Sequence, residues 1–344
     1  MFSTSKFFRT GGGAAAPSLT VGTQGSSPYI AAFAWSDITQ FGTQYPNPGS
    51  NPAGPCTSIN YSPAGNAIAH TTYLDPPYAK VFAWANGFGT RYADPAIQLT
   101  NGTYNASFSP DGNSLAFAFT SSPWVNVYAW SALSGFGTKY ANPSTLLNGN
   151  ALGVSFNRAG TVIAASGQGT IPYVSAYQWS NGFGTKYADP STQPTGQSNC
   201  VAFNPAGDAI AAGHFTSPFI SAYPFSFSSG FGTKYANPIT LPPNTVNGLS
   251  FNPAGNALAL AHDNTPFVSA YPWSSGFGTK YANPAAVPGA RATDVAFNPA
   301  GTYLAVATGI APWANVYAWS VSGFGTVYQK AGIPGTANGI AFSP

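Results

Sequence analysis

Residues 294–328 decide the fold. Asp294-Val295-Ala296-Phe297 leads through Asn298-Pro299-Ala300-Gly301 into Tyr303-Leu304-Ala305-Val306-Ala307. Trp313-Ala314-Asn315-Val316-Tyr317-Ala318-Trp319 then leads into Gly325-Thr326-Val327-Tyr328. These are four short runs rich in β-branched and aromatic residues, and Gly, Pro and Asn punctuate them. That is the signature of four strands joined by tight turns. The unit repeats along the chain. Phe-Gly-Thr starts at Phe41, Phe88, Phe136, Phe183, Phe231, Phe277 and Phe324, always 46–48 residues apart. An aromatic-Asn/Ser-Pro-Ala/Asp-Gly turn starts at Tyr61, Phe108, Phe156, Phe203, Phe251, Phe297 and Phe342, with Arg158 replacing proline in one copy. A third run ends at Trp35, Trp84, Trp130, Trp179, Phe225, Trp273 and Trp319.

Four strands in about 47 residues make a propeller blade, so the expectation is an all-β, seven-bladed β-propeller of four-stranded antiparallel blades. The last repeat stops at Phe342-Ser343-Pro344, after strand a. Its missing strands are at the other end: Ser18-Leu19-Thr20-Val21 matches strand b, Tyr29–Trp35 strand c and Phe41–Tyr45 strand d. One blade is therefore predicted to take strand a from the C-terminus and strands b–d from the N-terminus, leaving no open edge in the ring. The domain reading is a propeller over 17–344, preceded by an arm over 1–16.

Phe108-Ser109-Pro110-Asp111-Gly112-Asn113-Ser114-Leu115-Ala116, followed by Val127-Tyr128-Ala129-Trp130, resembles a WD40 repeat. There is no Gly-His before strand a and no Asp after the Trp, so WD40 scaffold roles are not implied. The recurring Gly-Phe-Gly-Thr-Lys-Tyr-Ala-Asn-Pro block resembles bacteriophage and other virion-associated repeat proteins.

Composition narrows the function classes. Charged residues make up 6% of the chain, there is no glutamate, and the net charge is +3, against roughly 25% charged residues in an ordinary domain. The basic residues do not cluster, so no nucleic-acid footprint is visible. No apolar run is long enough to insert in a membrane as a helix, and no signal peptide is visible. Cys56 and Cys200 fall at non-equivalent repeat positions and read as free thiols.

Loops a–b and c–d share one face and are nearly uniform. Loops b–c and d–a share the other and vary, so a site is expected there. Seven aromatics close the b–c loops: Tyr29, Tyr78, Trp124, Tyr173, Phe219, Phe267 and Trp313. They read first as packing between blades, and alternatively as a platform that stacks sugars. Arg91, Lys139, Lys186, Lys234 and Lys280 occupy one strand-d position, where a cation blunts edge pairing. His214 and His262 are repeat-equivalent, with Asp263 beside one. They would be the ligands if a metal bound, but a metal site takes three or four. No Ser-His-Asp set or carboxylate pair stands out, so no catalytic residue and no cofactor is expected.

The arm carries Phe2, Lys6, Phe7, Phe8 and Arg9 before Gly11-Gly12-Gly13, and reads as an anchor to protein subunits of a larger assembly. Together these readings predict a non-enzymatic decoration or appendage component of a virion or extracellular surface assembly, displaying its variable face. The alternative is a lectin-like propeller that adsorbs to glycans.

Overall fold

The computed structural model describes residues 17–344 except 53, 331 and 334. The arm, with Phe2, Lys6, Phe7, Phe8 and Arg9, lies outside the described residues. Within them the chain is all-β: seven antiparallel sheets stand in a ring, six of four strands and one of three. We number the blades I–VII in chain order and letter the strands a–d outward. Blade I is the shared one, in the order Ala337–Phe342, Ser18–Thr23, Ile30–Ser36, Gln40–Gln44. Its strand a pairs Phe342 with Leu19 and Ile340 with Val21. Ser343 N–H donates to Ser18 O at 2.9 Å, and Ser18 N–H donates to Ser343 Oγ at 2.9 Å. The two termini are thus laced by main-chain ladder and turn alike.

A repeated aromatic joint explains why one motif per strand builds a ring. Trp84 of strand c meets Phe88 of its own strand d at 5.1 Å, Tyr61 of strand a at 5.4 Å and Tyr45 from blade I at 5.4 Å, all edge to face. The same joint recurs at Trp130, Trp179, Phe225, Trp273 and Trp319, each reaching back to the strand-d tyrosine of the preceding blade. Each such pair contributes about 0.5–1.5 kcal/mol beyond its buried area. At the seam Trp35 meets Tyr303 instead, at 5.1 Å. Tyr61 stands where the other blades have Phe. Its hydroxyl bonds Ser18 Oγ at 3.0 Å and Thr20 Oγ1 at 2.5 Å, a polar tie between blades I and II.

The outer strand fails where the sequence removes a donor. Phe225 N–H donates to Asp208 O on the strand-b side, so by alternation the N–H of residue 224 would face strand d. That residue is Pro224, and its blade VI equivalent is Pro272; proline has no N–H to give. Blade V keeps only Gly230–Phe231 as strand d, and blade VI only a Trp273–Phe277 bridge. In blades II–VI the strand-d cations bond the residue three positions on: Arg91 and Lys186 reach Asp94 and Asp189, while Lys139, Lys234 and Lys280 reach Asn142, Asn237 and Asn283.

Candidate functional site

The innermost strands carry a device that simple alternation hides. In every blade the ladder between strands a and b slips at the second residue of strand a: at Thr57, Tyr104, Leu152, Asn199, Asn247 and Thr293 in blades II–VII. Asn338 holds that position in the shared blade, where Ala337 pairs with Thr23 and Gly339 with Gly22. Such bulges re-aim a side chain. Here they turn it along the ring, at the mouth of the central channel on the variable-loop face. Thr57 Oγ1 donates to Thr103 O at 2.7 Å, Asn199 Nδ2 to Val246 O at 3.1 Å and Asn247 Nδ2 to Ala292 O at 2.9 Å. Thr293 Oγ1 donates to Ala337 O at 2.7 Å and Asn338 Nδ2 to Cys56 O at 2.8 Å. Five blades thus hold the entrance of the next. Leu152 carries an apolar side chain at this position. Tyr104 instead lies parallel to Tyr73, with centroids 6.2 Å apart.

Charge gathers between blades VI and VII. Asn247 Nδ2 also donates to Asp263 Oδ1 at 2.7 Å, holding that half-buried carboxylate at the mouth beside the start of blade VII. Arg291, exposed, is the last residue before that strand. Asp294, fully buried, lies three residues further down the same strand. Its Oδ2 accepts from Ile340 N–H of blade I at 2.8 Å. On its other side blade VI offers Gly248, where an added Cβ would sit 3.0 Å from Asp294 Cα. Glycine there lets the strands approach. Cys200, on the equivalent position in blade V, is a buried free thiol; burial pushes its pKa up, with the Asp294 charge a smaller cause in the same direction.

The histidines are built into the blades. His214 Nδ1 bonds Thr216 O at 2.8 Å and Nε2 bonds Ser221 Oγ at 3.1 Å. His262 repeats this with Asn264 O at 2.8 Å and Ser269 Oγ at 2.9 Å. Burial lowers both to about 4, so they are neutral, with Nδ1–H donating to the loop carbonyl and Nε2 accepting from serine. Both nitrogens of each ring are therefore engaged, and among the described residues no three His, Cys, Asp or Glu side chains converge as metal ligands. The serines are fully buried, which keeps these Ser–His pairs from any substrate.

The seven b–c aromatics are half-buried, and Tyr78, Trp124, Phe219, Phe267 and Trp313 pack against the cores between blades. Tyr29, Tyr78, Trp124, Phe219 and Phe267 hold φ between 59° and 66°. Their main chain closes the b–c turn: Trp124 N–H donates to Ser121 O at 2.7 Å and Phe119 N–H to Trp124 O at 3.0 Å. Tyr173 and Trp313 close theirs without a positive φ. The site that sequence reasoning missed is Arg291 with Asp294. Its signal was an aspartate at a strand-a position held elsewhere by Ser58, Asn105, Cys200 or glycine.

No protein-family model matches the chain, and no curated protein does. Solved structures match it over nearly its whole length. The periplasmic gluconolactonase of Pseudomonas aeruginosa is 15% identical with a TM-score of 0.73, over 95% of this chain and 99% of its own. A Bacteroides uniformis protein assigned as a 6-phosphogluconolactonase is 14% identical with a TM-score of 0.71, over 96% of this chain and all of its own. A protein from Lactobacillus plantarum is 13% identical with a TM-score of 0.73, over 94% and 98%. At these identities the likeness is one of fold. It overturns the expected virion or surface-assembly component, and with it the reading of a non-enzyme with a lectin-like alternative. The ring is shared with propellers named as lactone hydrolases. The resemblance to virion proteins rested on the uniform turn motifs, which serve blade geometry and say nothing about the mouth of the channel.

Proposed function

We propose that this propeller hydrolyses a small sugar-acid lactone at the variable-loop mouth of its channel, between blades VI and VII. The observation that carries the reading is the Asn247 amide, which bonds the Asp263 carboxylate and the Ala292 carbonyl together at the strand entrance that Arg291 precedes. The names of the structurally similar propellers support the reaction class.

The chemistry needs one base and one cation. Asp263 takes a proton from water as the water oxygen adds to the lactone carbonyl carbon. The Arg291 guanidinium stabilises the oxyanion that forms. As the tetrahedral species collapses, the ring C–O bond breaks and the leaving alkoxide takes the proton back from Asp263, giving the open sugar acid. Asn247 positions the base, and Tyr73 and Tyr104 give the mouth an aromatic wall.

The test is acid release from glucono-δ-lactone at pH 7, with the buffer rate subtracted. Asp263→Asn should lower kcat/KM by about 10²–10³-fold, within the range of general-base removal, with the thermal midpoint unchanged. A wild-type rate no faster than buffer across a panel of sugar lactones overturns the assignment.

A further inference from the structure

The c–d loops alternate in length around the ring. Five residues separate the strand-c aromatic from the strand-d Phe in blades I, III and V, four in blade VII, and three in blades II, IV and VI. Every lengthened loop carries an apolar residue at its tip: Ile38, Leu133, Phe227 and Val321, exposed by 90%, 95%, 55% and 89%. The short loops end in Asn86, Asn181 and Ser275, each at positive φ before glycine, a two-residue reversal with no room for a tip. The opposite face exposes apolar residues too, among them Leu74, Ile97, Ile239 and Ile310, in loops of differing sequence.

The face that bears the knobs also has a hole. A mostly apolar cleft of ≈ 360 Å³ opens between blades VII and I, lined by Trp35, Asp37, Asn298, Pro299, Phe342 and Pro344. A smaller one of ≈ 150 Å³ opens between blades II and III. We infer that this face is a self-association surface: two copies of the chain stack face to face, seating loop-tip side chains of one in the clefts between blades of the other. A two-fold contact needs one patch with both knob and hole, and this face has both. A partner that engages all four tips must be as broad as the disc, which a second disc is. A lipid surface would want basic residues around the tips; the described charges in these loops and the a–b turns are Asp37, Asp111, Asp208 and Arg158. The proposal is independent of the lactonase reading, which concerns the other face.

Sedimentation velocity of the full chain from 1 to about 100 µM tests it. The expected result is a monomer–dimer equilibrium whose Kd rises about tenfold or more in Leu133→Asp/Val321→Asp and is unmoved in Ile239→Asp on the other face. These side chains are nearly fully exposed, so the fold should tolerate the change, and an unchanged melting temperature verifies it. A wild-type monomer throughout this range overturns the inference, whether residues 1–16 or nothing fills the cleft. So does a dimer broken by Ile239→Asp and not by the tip variant. Phosphatidylcholine vesicles floating the wild type but not the tip variant, with no dimer in solution, would give the face to lipid and overturn it as well.

Discussion

Mild acid should destabilise this propeller steeply, and its three histidines should be the reason. His70, His214 and His262 are at most 1% exposed. Burial is the main cause holding them down, to about 3 for His70 and about 4 for the other two; Lys80, Lys234 and Lys280 add smaller repulsions. His70 is the extreme case. It lies on the strand-b position that faces blade I, the Tyr29 backbone approaches its ring, and neither nitrogen reaches hydrogen-bond geometry with a described residue. The unfolded chain binds these protons near pH 6.5 and the folded chain does not. Stability is therefore fully present above pH 6.5 and is lost as pH falls toward the folded values. Each pH unit costs about 1.4 kcal/mol per histidine. From pH 7 to pH 5 each contributes about 2 kcal/mol, so the three together cost roughly 6 kcal/mol, as much as the whole stability of many domains. Carboxylates in the unfolded chain titrate below this window and tyrosines above it. The assay is urea unfolding followed by tryptophan fluorescence at half-unit pH steps from 7.5 to 5, with histidine ring-proton NMR on the folded protein. A midpoint that does not move between pH 7 and 5, or ring protons that titrate near 6.5, refutes the reasoning.

Three other outcomes follow from the joints of the ring. Removing residues 337–344 deletes strand a of the shared blade and should abolish the cooperative thermal transition; a truncated chain melting at the wild-type temperature would deny the closure. Tyr61→Phe removes the hydroxyl that bonds Ser18 and Thr20 and should cost about 1–2 kcal/mol by denaturant titration, whereas no loss would mean water satisfies these groups equally well. Pro272→Ala restores an N–H facing strand d of blade VI, and amide exchange there should slow toward that of blade IV; unchanged exchange would place the cause of the short strand elsewhere.

The ring was legible in the sequence because each of its joints is a residue type at a fixed spacing. The Trp of strand c needs a Phe four to six residues on and a Tyr from the blade before. Such a joint leaves its mark seven times, and the split of strands between the two ends follows from counting. The mouth of the channel was legible only as a face. Period-2 alternation assigns each strand residue to one side of its sheet. The bulge at the second residue of strand a breaks that rule, so Thr57, Asn199, Asn247, Thr293 and Asn338 read as ordinary strand polars, when in fact they reach the next blade.

The same break explains why repetition misled the functional reading. A feature present in all seven blades is under the demands of the blade, as the b–c aromatics show: five hold a positive φ, and their main chain closes a turn. Chemistry needs departures from the repeat, since a site is one place in the ring and not seven. Asp294 departs where three other blades have glycine at the same position, Asp263 sits where other b–c loops begin with Gln24, Gln168 or Phe215, and Arg291 replaces Gln197 or Thr245 at the strand entrance. All three departures fall at one junction. In a pseudo-symmetric ring the residues to weigh are those that violate the symmetry together, and a fold that repeats its turns so faithfully makes such a coincidence easier to see.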